Sequence, residues 1–450
     1  MKRSLLACLL WAGALGSGPA SRSVPRLVHI EGRAWVSSGG ESIVLAGPNV
    51  VVKGPPYLPT VVSDAPMCSD RVDDACSATG TCESCTTFSM ADVANFRARG
   101  WNAMRLGVMW AGAQPRDEDA LDPAFLSRLH DFLNLTDAAG IAVVLDNHGD
   151  MTGSLSCGNG VPAWFQLSAA SAAGVPVGQP LETAFPYSDV PGLNVSELQG
   201  YSTCGSNASA WAAFAGDPLY NLLSPCCQAM NSNNPGALGF TTLAQAAMNY
   251  MITPGAGRAA FVRYWRLLAE AVAAHPSAIA AELMNEPMTI DRPNLFDTWR
   301  ETGQAITAVI PDMAVSVSDT GEAVVLPSWV VDIVGDVGIS NETLAWIERS
   351  GSAFIAFHWY GLPQNATEAV QDALALGELW GVPTLLTEFG DCAAWNAAAK
   401  AGVGHLFWHY SAYCTTGPAF GNRAVPRDTF GACILGWASG TSSYNCSSVV

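Results

Sequence analysis

The sequence predicts an α/β fold in which eight parallel strands close into a (β/α)8 barrel, a TIM barrel, with long disulfide-bearing loop insertions at its C-terminal face. Three observations carry this expectation. Short apolar runs recur along the chain and alternate with amphipathic stretches. The runs are apolar on both faces, as strands buried on both sides require. Several of them end in clusters of polar and aromatic residues, where barrels keep their reactive groups.

The eight runs lie near residues 42–53, 102–110, 141–150, 279–287, 313–321, 352–360, 382–391 and 403–411. Helical periodicity is clearest over 91–99, 123–139, 258–274 and 294–310. Pro123 opens the second of these helices directly after Asp122, a good cap. The rhythm breaks between the third and fourth runs. There, residues 151–257 form an insertion rich in Gly, Ser, Ala and Asn, with four cysteines. A smaller insertion, about 54–89, follows the first run. Both fall after strand C-terminal ends, and a loop this long in a compact domain is normally functional or disordered. Residues 24–450 read as a single catalytic domain.

Composition sets the compartment and excludes some partners. Of the 450 residues, 49% are hydrophobic and 13% charged, enough apolar material for a large core. The net charge of -18 argues against nucleic acid and anionic membranes as partners. Residues 1–20 read as a signal peptide: Lys2 and Arg3, then an apolar run, then Gly18, Pro19 and Ala20. No later run is apolar for the roughly 20 residues a membrane span needs. The expected product is a secreted protein with no integral membrane segment once the signal is removed, and a monomer.

The chain has 13 cysteines, and Cys8 lies within the signal, which leaves an even number. Cys68, Cys76, Cys82 and Cys85 cluster, and in an exported chain they read as disulfides rather than a zinc site. Asn134, Asn194, Asn207, Asn341, Asn365 and Asn445 stand in N-x-S/T sequons.

The strand ends carry the chemistry. Asn285, Glu286 and Pro287 end the fourth run; His358, Trp359 and Tyr360 end the sixth; Glu388 lies near the end of the seventh. Arg105 lies on the second, His148 on the third and Trp408 on the eighth. Glu286 and Glu388 would face each other across the barrel mouth. Retaining hydrolysis of a glycosidic bond needs such a pair about 5–5.5 Å apart, one protonated and one ionised. Arg105 beside Glu388 would keep that carboxylate charged, and Tyr360 would hydrogen-bond it. Asn285 is placed to meet a sugar 2-hydroxyl, and Trp408 offers a face for a pyranose ring.

These motifs, in this order, resemble glycoside hydrolase family 5, the cellulase-like retaining glycosidases. The resemblance implies Glu286 as acid/base and Glu388 as nucleophile, with no cofactor and no metal. It implies a carbohydrate or glycolipid as substrate. Residues 49–53 leading to Pro55, Pro56 and Tyr57, and the stretch 158–164, look most like endoglycoceramidase-like members of that family. Gly149 stands where those proteins usually have Gln, and the C-terminal β-sandwich they carry has no expected counterpart here.

Three other readings compete. A polysaccharide hydrolase of cellulase, mannanase or β-1,3-glucanase type would use the same residues. A metal-dependent hydrolase would build on Asp146, His148 and Asp150, which alternate on one strand face, but only His358 is available as a further ligand. A carbohydrate-binding pseudoenzyme would have lost one carboxylate, and both are present. Asp391 rivals Glu388. Glu282 is expected to point into a helix–strand contact, away from the mouth. Trp110, Trp164 and Trp359 are either sugar platforms or core aromatics, and His405 and His409 are expected to be structural.

Overall fold

The computed structural model describes residues 24–52, 56–63, 87–117, 119–149, 152–156, 160–175, 241–319, 339–360, 365–390, 392–408 and 410. The chain enters through an antiparallel hairpin, β1 (Val28–Glu31) and β2 (Ala34–Ser37). The barrel begins with β3 (Ala46–Val50). Outside it, β4 (Thr60–Val61) pairs with β5 (Thr87–Phe88). The remaining barrel strands are β6 (Ala103–Gly107), β7 (Ala142–Asp146), β8 (Ala278–Glu282), β9 (Ala314–Ser316), β10 (Ala353–Trp359), β11 (Thr384–Phe389) and β12 (Gly404–Phe407). All eight are parallel, each pairs with its neighbour in chain order, and β12 returns to β3 to close the barrel. The expected closed barrel of eight parallel strands is what the structure shows.

Ten helices connect these strands among the described residues: α1 (Met90–Ala98), α2 (Trp110–Ala113), α3 (Pro123–Ala139), α4 (Ala163–Ala173), α5 (Thr242–Ile252), α6 (Ala256–Val272), α7 (Arg292–Thr307), α8 (Asn341–Ser350), α9 (Ala366–Trp380) and α10 (Cys392–Ala401). Helix α3 shows why the boundaries fall where they do. Asp122 accepts from the backbone N–H groups of Ala124 and Phe125, Pro123 needs no donor partner, and Gly140 ends the helix at φ 69°. Phe125, Leu129, Phe132 and Leu133 then bury one face of α3, in the same cluster as the outward-facing Met104, Leu106, Val143 and Leu145. Each such side chain contributes about 1.5–3 kcal/mol by leaving water.

Inside the barrel the lower residues are apolar and mostly small: Ala103, Ala142, Val144, Ala280, Ala314, Ala356, Leu385 and Leu406. Trp35 of the hairpin belongs to this inner cluster and meets Phe354 edge-on at 5.2 Å. Arg26 caps the end of α6 there, donating to the carbonyls of Ala273 (2.6 Å) and His275 (2.5 Å). Filling the lower interior in this way leaves the upper layer, at the strand C-terminal ends, for polar groups.

Several details differ from the sequence reading. The first barrel strand starts at Ala46, and the residues before it feed the hairpin, whose short four-residue strands carry little periodic signal. The larger insertion is helical at both ends, through α4 and α5. Gln245 of α5 donates to the carbonyl of Met288 (2.7 Å) and so fastens the insertion to the loop after β8. The expected signal peptide, the cysteines of the first insertion, residues 176–240, and Asn194, Asn207 and Asn445 lie outside the described residues. Cys392 is disulfide-bonded. Asn134, Asn341 and Asn365 are exposed. No helix among the described residues is long and apolar enough to cross a membrane.

Gly47 on β3 tests the tightness of closure. A Cβ there would sit 1.9 Å from the carbonyl oxygen of Ala103 on the neighbouring strand, and backbone cannot move aside cheaply. Gly47→Ala is expected to destabilise the fold by roughly 1–3 kcal/mol or more. An unchanged urea midpoint would contradict this packing.

Candidate active site

Five of the strand ends meet at one guanidinium. Arg105 of β6 is fully buried. Its Nη1 donates to Asn49 Oδ1 (2.9 Å) and Glu388 Oε1 (2.5 Å). Its Nη2 donates to Glu282 Oε1 (2.5 Å) and Asn285 Oδ1 (2.8 Å), and lies 3.1 Å from Asp146 Oδ1. One cation thus joins β3, β6, β7, β8 and β11. Burial works against its charge, but Asp146, Glu282 and Glu388 outweigh that and hold it protonated well above the ordinary arginine value.

Glu388 of β11 is held on both oxygens. Oε1 takes Arg105, and Oε2 accepts from the Tyr360 hydroxyl at 2.7 Å. His358 Nδ1 lies 3.8 Å from Oε2, and His148 Nδ1 lies 3.7 Å from Oε1. Burial pushes this carboxyl up, but His358, Arg105 and His148 together bring it down to about 2. Glu388 is therefore ionised at any ordinary pH.

Glu286 sits differently. Its side chain is 30% exposed, and Oε1 lies 2.9 Å from His358 Nδ1. Its backbone is left-handed, with φ 42°, which a residue with a Cβ adopts only under constraint. The constraint comes from its neighbours: Asn285 donates its N–H to the carbonyl of Asn147, and Pro287 fixes the following residue. A carboxylate oxygen of Glu286, one of Glu388 and a ring nitrogen of His358 all lie within 4.8 Å of one another. That trio is also a possible cation donor set. Arg105 and Tyr360 already bond Glu388, and His358 lies 2.9 Å from Glu286, so both carboxyl groups are engaged by protein partners.

The surrounding residues orient this pair. His148 Nδ1 lies 2.8 Å from Asp146 Oδ2, and its ring stacks on Trp408 at 4.9 Å and 16°. Asn49 donates to the carbonyls of Thr387, Leu406 and Phe407, pinning β3 to β11 and β12. All eight residues singled out from the sequence, Arg105, His148, Asn285, Glu286, His358, Tyr360, Glu388 and Trp408, meet in this mouth.

Two further residues of the network were not anticipated. Glu282 points inward onto Arg105, contrary to expectation, because Ala280 and Glu282 share the inward face of β8. Asn49 of β3 continues the inward phase set by Leu45 just before the strand, and strand alternation was the signal available for both. Asp146 and His148 bond to each other rather than presenting a metal-ligand face. Trp110 is core: it is buried and stacked on Tyr264 at 5.4 Å. Trp164 packs edge-on against Trp110, and Trp359 is partly buried against the core. His405 is buried against Trp395, as expected of a structural histidine. Asp150, Asp391 and His409 lie outside the described residues.

No family model matches the chain. Endoglycoceramidase I of Rhodococcus hoagii is 24% identical over 440 residues, an alignment covering 90% of this chain and 73% of that protein. Endoglycoceramidase of Cyanea nozakii is 26% identical over 266 residues, covering 59% of this chain and 42% of that protein. In fold, the chain is similar to endo-glycoceramidase II from Rhodococcus sp., solved in complex with a five-membered iminocyclitol. The TM-score is 0.54 at 18% identity, with 84% of this chain and 75% of that one covered.

The depressed Glu388 carboxyl links stability to pH. Its value lies near 4.5 when unfolded and about 2 when folded, so its stabilisation is complete above pH 4.5 and disappears as pH falls through 2. Denaturation midpoints followed over that window should fall less steeply for Glu388→Gln than for the parent. Parallel curves would show that Glu388 is not held ionised by its neighbours.

Proposed function

We propose that this chain, a cellulase-like retaining glycosidase of the glycoside hydrolase family 5 kind, hydrolyses the β-linkage between the glycan and the lipid of a glycolipid. The observation that carries the reaction is the carboxylate pair: oxygens of Glu286 and Glu388 within 4.8 Å of one another at the mouth of the barrel. Inverting enzymes hold their carboxyl groups about 6.5–9.5 Å apart to admit a water, so this separation fits double displacement. The two endoglycoceramidase relatives support the glycolipid substrate.

The chemistry divides between the two carboxyl groups. Glu388, ionised and immobilised by Arg105 and Tyr360, attacks the anomeric carbon. Glu286 gives its proton to the departing glycosidic oxygen. The aglycone leaves as an alcohol, and the sugar remains as an ester on Glu388. Glu286, now ionised, takes a proton from water, which attacks the anomeric carbon and releases Glu388. His358 lies 2.9 Å from Glu286 and is the group placed to orient it through this cycle. Trp408, stacked on His148, offers its other face to the sugar ring. The protein works outside the cell in this reading, which the apolar leader in the sequence and the disulfide at Cys392 support.

A polysaccharide substrate is the second reading, since the cleavage machinery would be the same. A panel of glucosylceramide, lactosylceramide, carboxymethylcellulose, β-mannan, β-1,3-glucan and an aryl β-glucoside separates the two. Cleavage of a ceramide conjugate is the expected result, and cleavage of polysaccharide alone would overturn the glycolipid assignment. Glu388→Gln is expected to abolish turnover without unfolding. Glu286→Ala should lose about 10²–10⁴ in rate on glycolipid but much less on an aryl glycoside whose leaving group needs no proton. Added azide should then yield a β-glycosyl azide from the Glu286→Ala protein. An α-azide, or near-normal activity of Glu388→Gln, would refute the assigned roles.

A further inference from the structure

We infer that Glu282, a buried carboxylate outside the reaction itself, is a positioning residue that couples the two reacting glutamates, holding Arg105 on one side and facing His358 on the other. The inference rests on the glycosidase reading above. Glu282 is completely buried at the end of β8. Its Oε1 accepts from Arg105 Nη2 at 2.5 Å, and the same guanidinium donates through Nη1 to Glu388 at 2.5 Å. Oε1 also lies 3.8 Å from His358 Nε2, while the other nitrogen of that ring lies 2.9 Å from Glu286. One oxygen therefore addresses the nucleophile through a guanidinium and the acid/base through an imidazole. Thr387 Oγ1 donates to it at 3.4 Å. Its other oxygen, Oε2, has no hydrogen-bond partner among the described residues. A buried carboxylate so sparsely hydrogen-bonded stays ionised only through neighbouring positive charge.

The charges around Glu282 are few. Arg105 faces it from β6, Asp146 from the end of β7 and His148 from just beyond it, His358 from β10 and Glu388 from β11. Behind β8, Tyr264 of α6 donates to the carbonyl of Val108. Beyond β9, Asp319 is paired with Arg292 at 2.6 Å. One guanidinium thus serves three carboxylates, and its field on Glu388 is shared with Glu282 and Asp146. Burial pushes the Glu282 carboxyl up, but Arg105 and His358 hold it below its ordinary value. By contrast, burial leaves the Asp146 carboxyl raised despite Arg105 and His148.

Neutralising Glu282 has a definite sign. Arg105 would act on Glu388 with less competition, making it a weaker base that stays ionised to lower pH. His358 would lose an anionic neighbour, and the Glu286–His358 pair would give up its proton at lower pH. Both limbs of the activity profile would then move the same way. A merely structural role for Glu282 would lower the rate and leave the limbs in place.

The test is the pH profile of kcat/KM for Glu282→Gln on the glycoside that the parent protein cleaves. The basic limb, set by Glu286 and His358, is expected to move down by on the order of one pH unit. At the new optimum kcat should fall about tenfold with little change in KM. Glu282→Asp, which keeps the charge but withdraws it from Arg105 and His358, should move the basic limb the same way by a smaller amount. An unmoved basic limb in Glu282→Gln overturns the inference whatever happens to the rate. Should the Gln protein fail to fold, Glu282→Asp is the deciding variant, and an unmoved basic limb there overturns the inference. If the parent cleaves no β-glycoside, the glycosidase reading fails first, and the two failures are distinguishable.

Discussion

The upper half of the barrel depends on one buried cation. Arg105 touches Asn49, Glu282, Asn285 and Glu388 through hydrogen bonds and pairs with Asp146, with none of its side chain in water. A guanidinium taken out of water is tolerable only where several acceptors surround it, and a carboxylate there is tolerable only beside such a cation. Each therefore makes the other possible. The small residues beneath, mainly alanines, close the barrel below this layer and deny water a route from that side. The resulting low-dielectric layer strengthens every electrostatic contact in the mouth.

Much of this was legible in the sequence because strand ends in a barrel are a fixed address. Glu286, His358 and Tyr360 stand at the ends of apolar runs, and Arg105, His148, Glu388 and Trp408 stand on or near them. Once the runs are recognised, the topology brings these residues together. What failed was alternation within a run. Glu282 stands in a stretch of alanines, and only the inward phase of β8, carried through Ala280, reveals that it faces Arg105. The hairpin of β1 and β2 escaped because four-residue strands give too little periodicity, and its role depends on Trp35 meeting Phe354 more than 300 residues away. The helical ends of the long insertion escaped for a different reason. Helix α4 is apolar almost throughout, so no polar face marks it, and its partner α5 lies on the far side of the insertion.

The two carboxyl groups at the centre receive opposite treatment, and that contrast fits the division of labour better than their separation alone. Glu388 is bound on both oxygens, buried, and driven to about 2 by the cations and donors around it. Such a group cannot carry a proton at ordinary pH and has little freedom to turn, which suits an attacking oxygen. Glu286 bonds His358, keeps part of its side chain in solvent, and has a constrained left-handed backbone.

A group that must release a proton and then collect one needs access to water and a neighbour that tolerates both states. An imidazole meets the second requirement, since it can accept or donate at the same nitrogen. The left-handed backbone at Glu286 meets the geometric one. It turns the carboxyl across the mouth toward Glu388 rather than along the β8 inward line that Ala280 and Glu282 occupy. Strain of this kind, worth about 1–3 kcal/mol, persists only where the surrounding contacts over-determine it. Here Asn285 is tied to both Asn147 and Arg105, so the same cation that fixes Glu388 also anchors the residue preceding Glu286. The spacing of the two carboxyl groups is therefore set by one guanidinium acting on both strands, and β8 and β11 cannot drift apart at the mouth without breaking it.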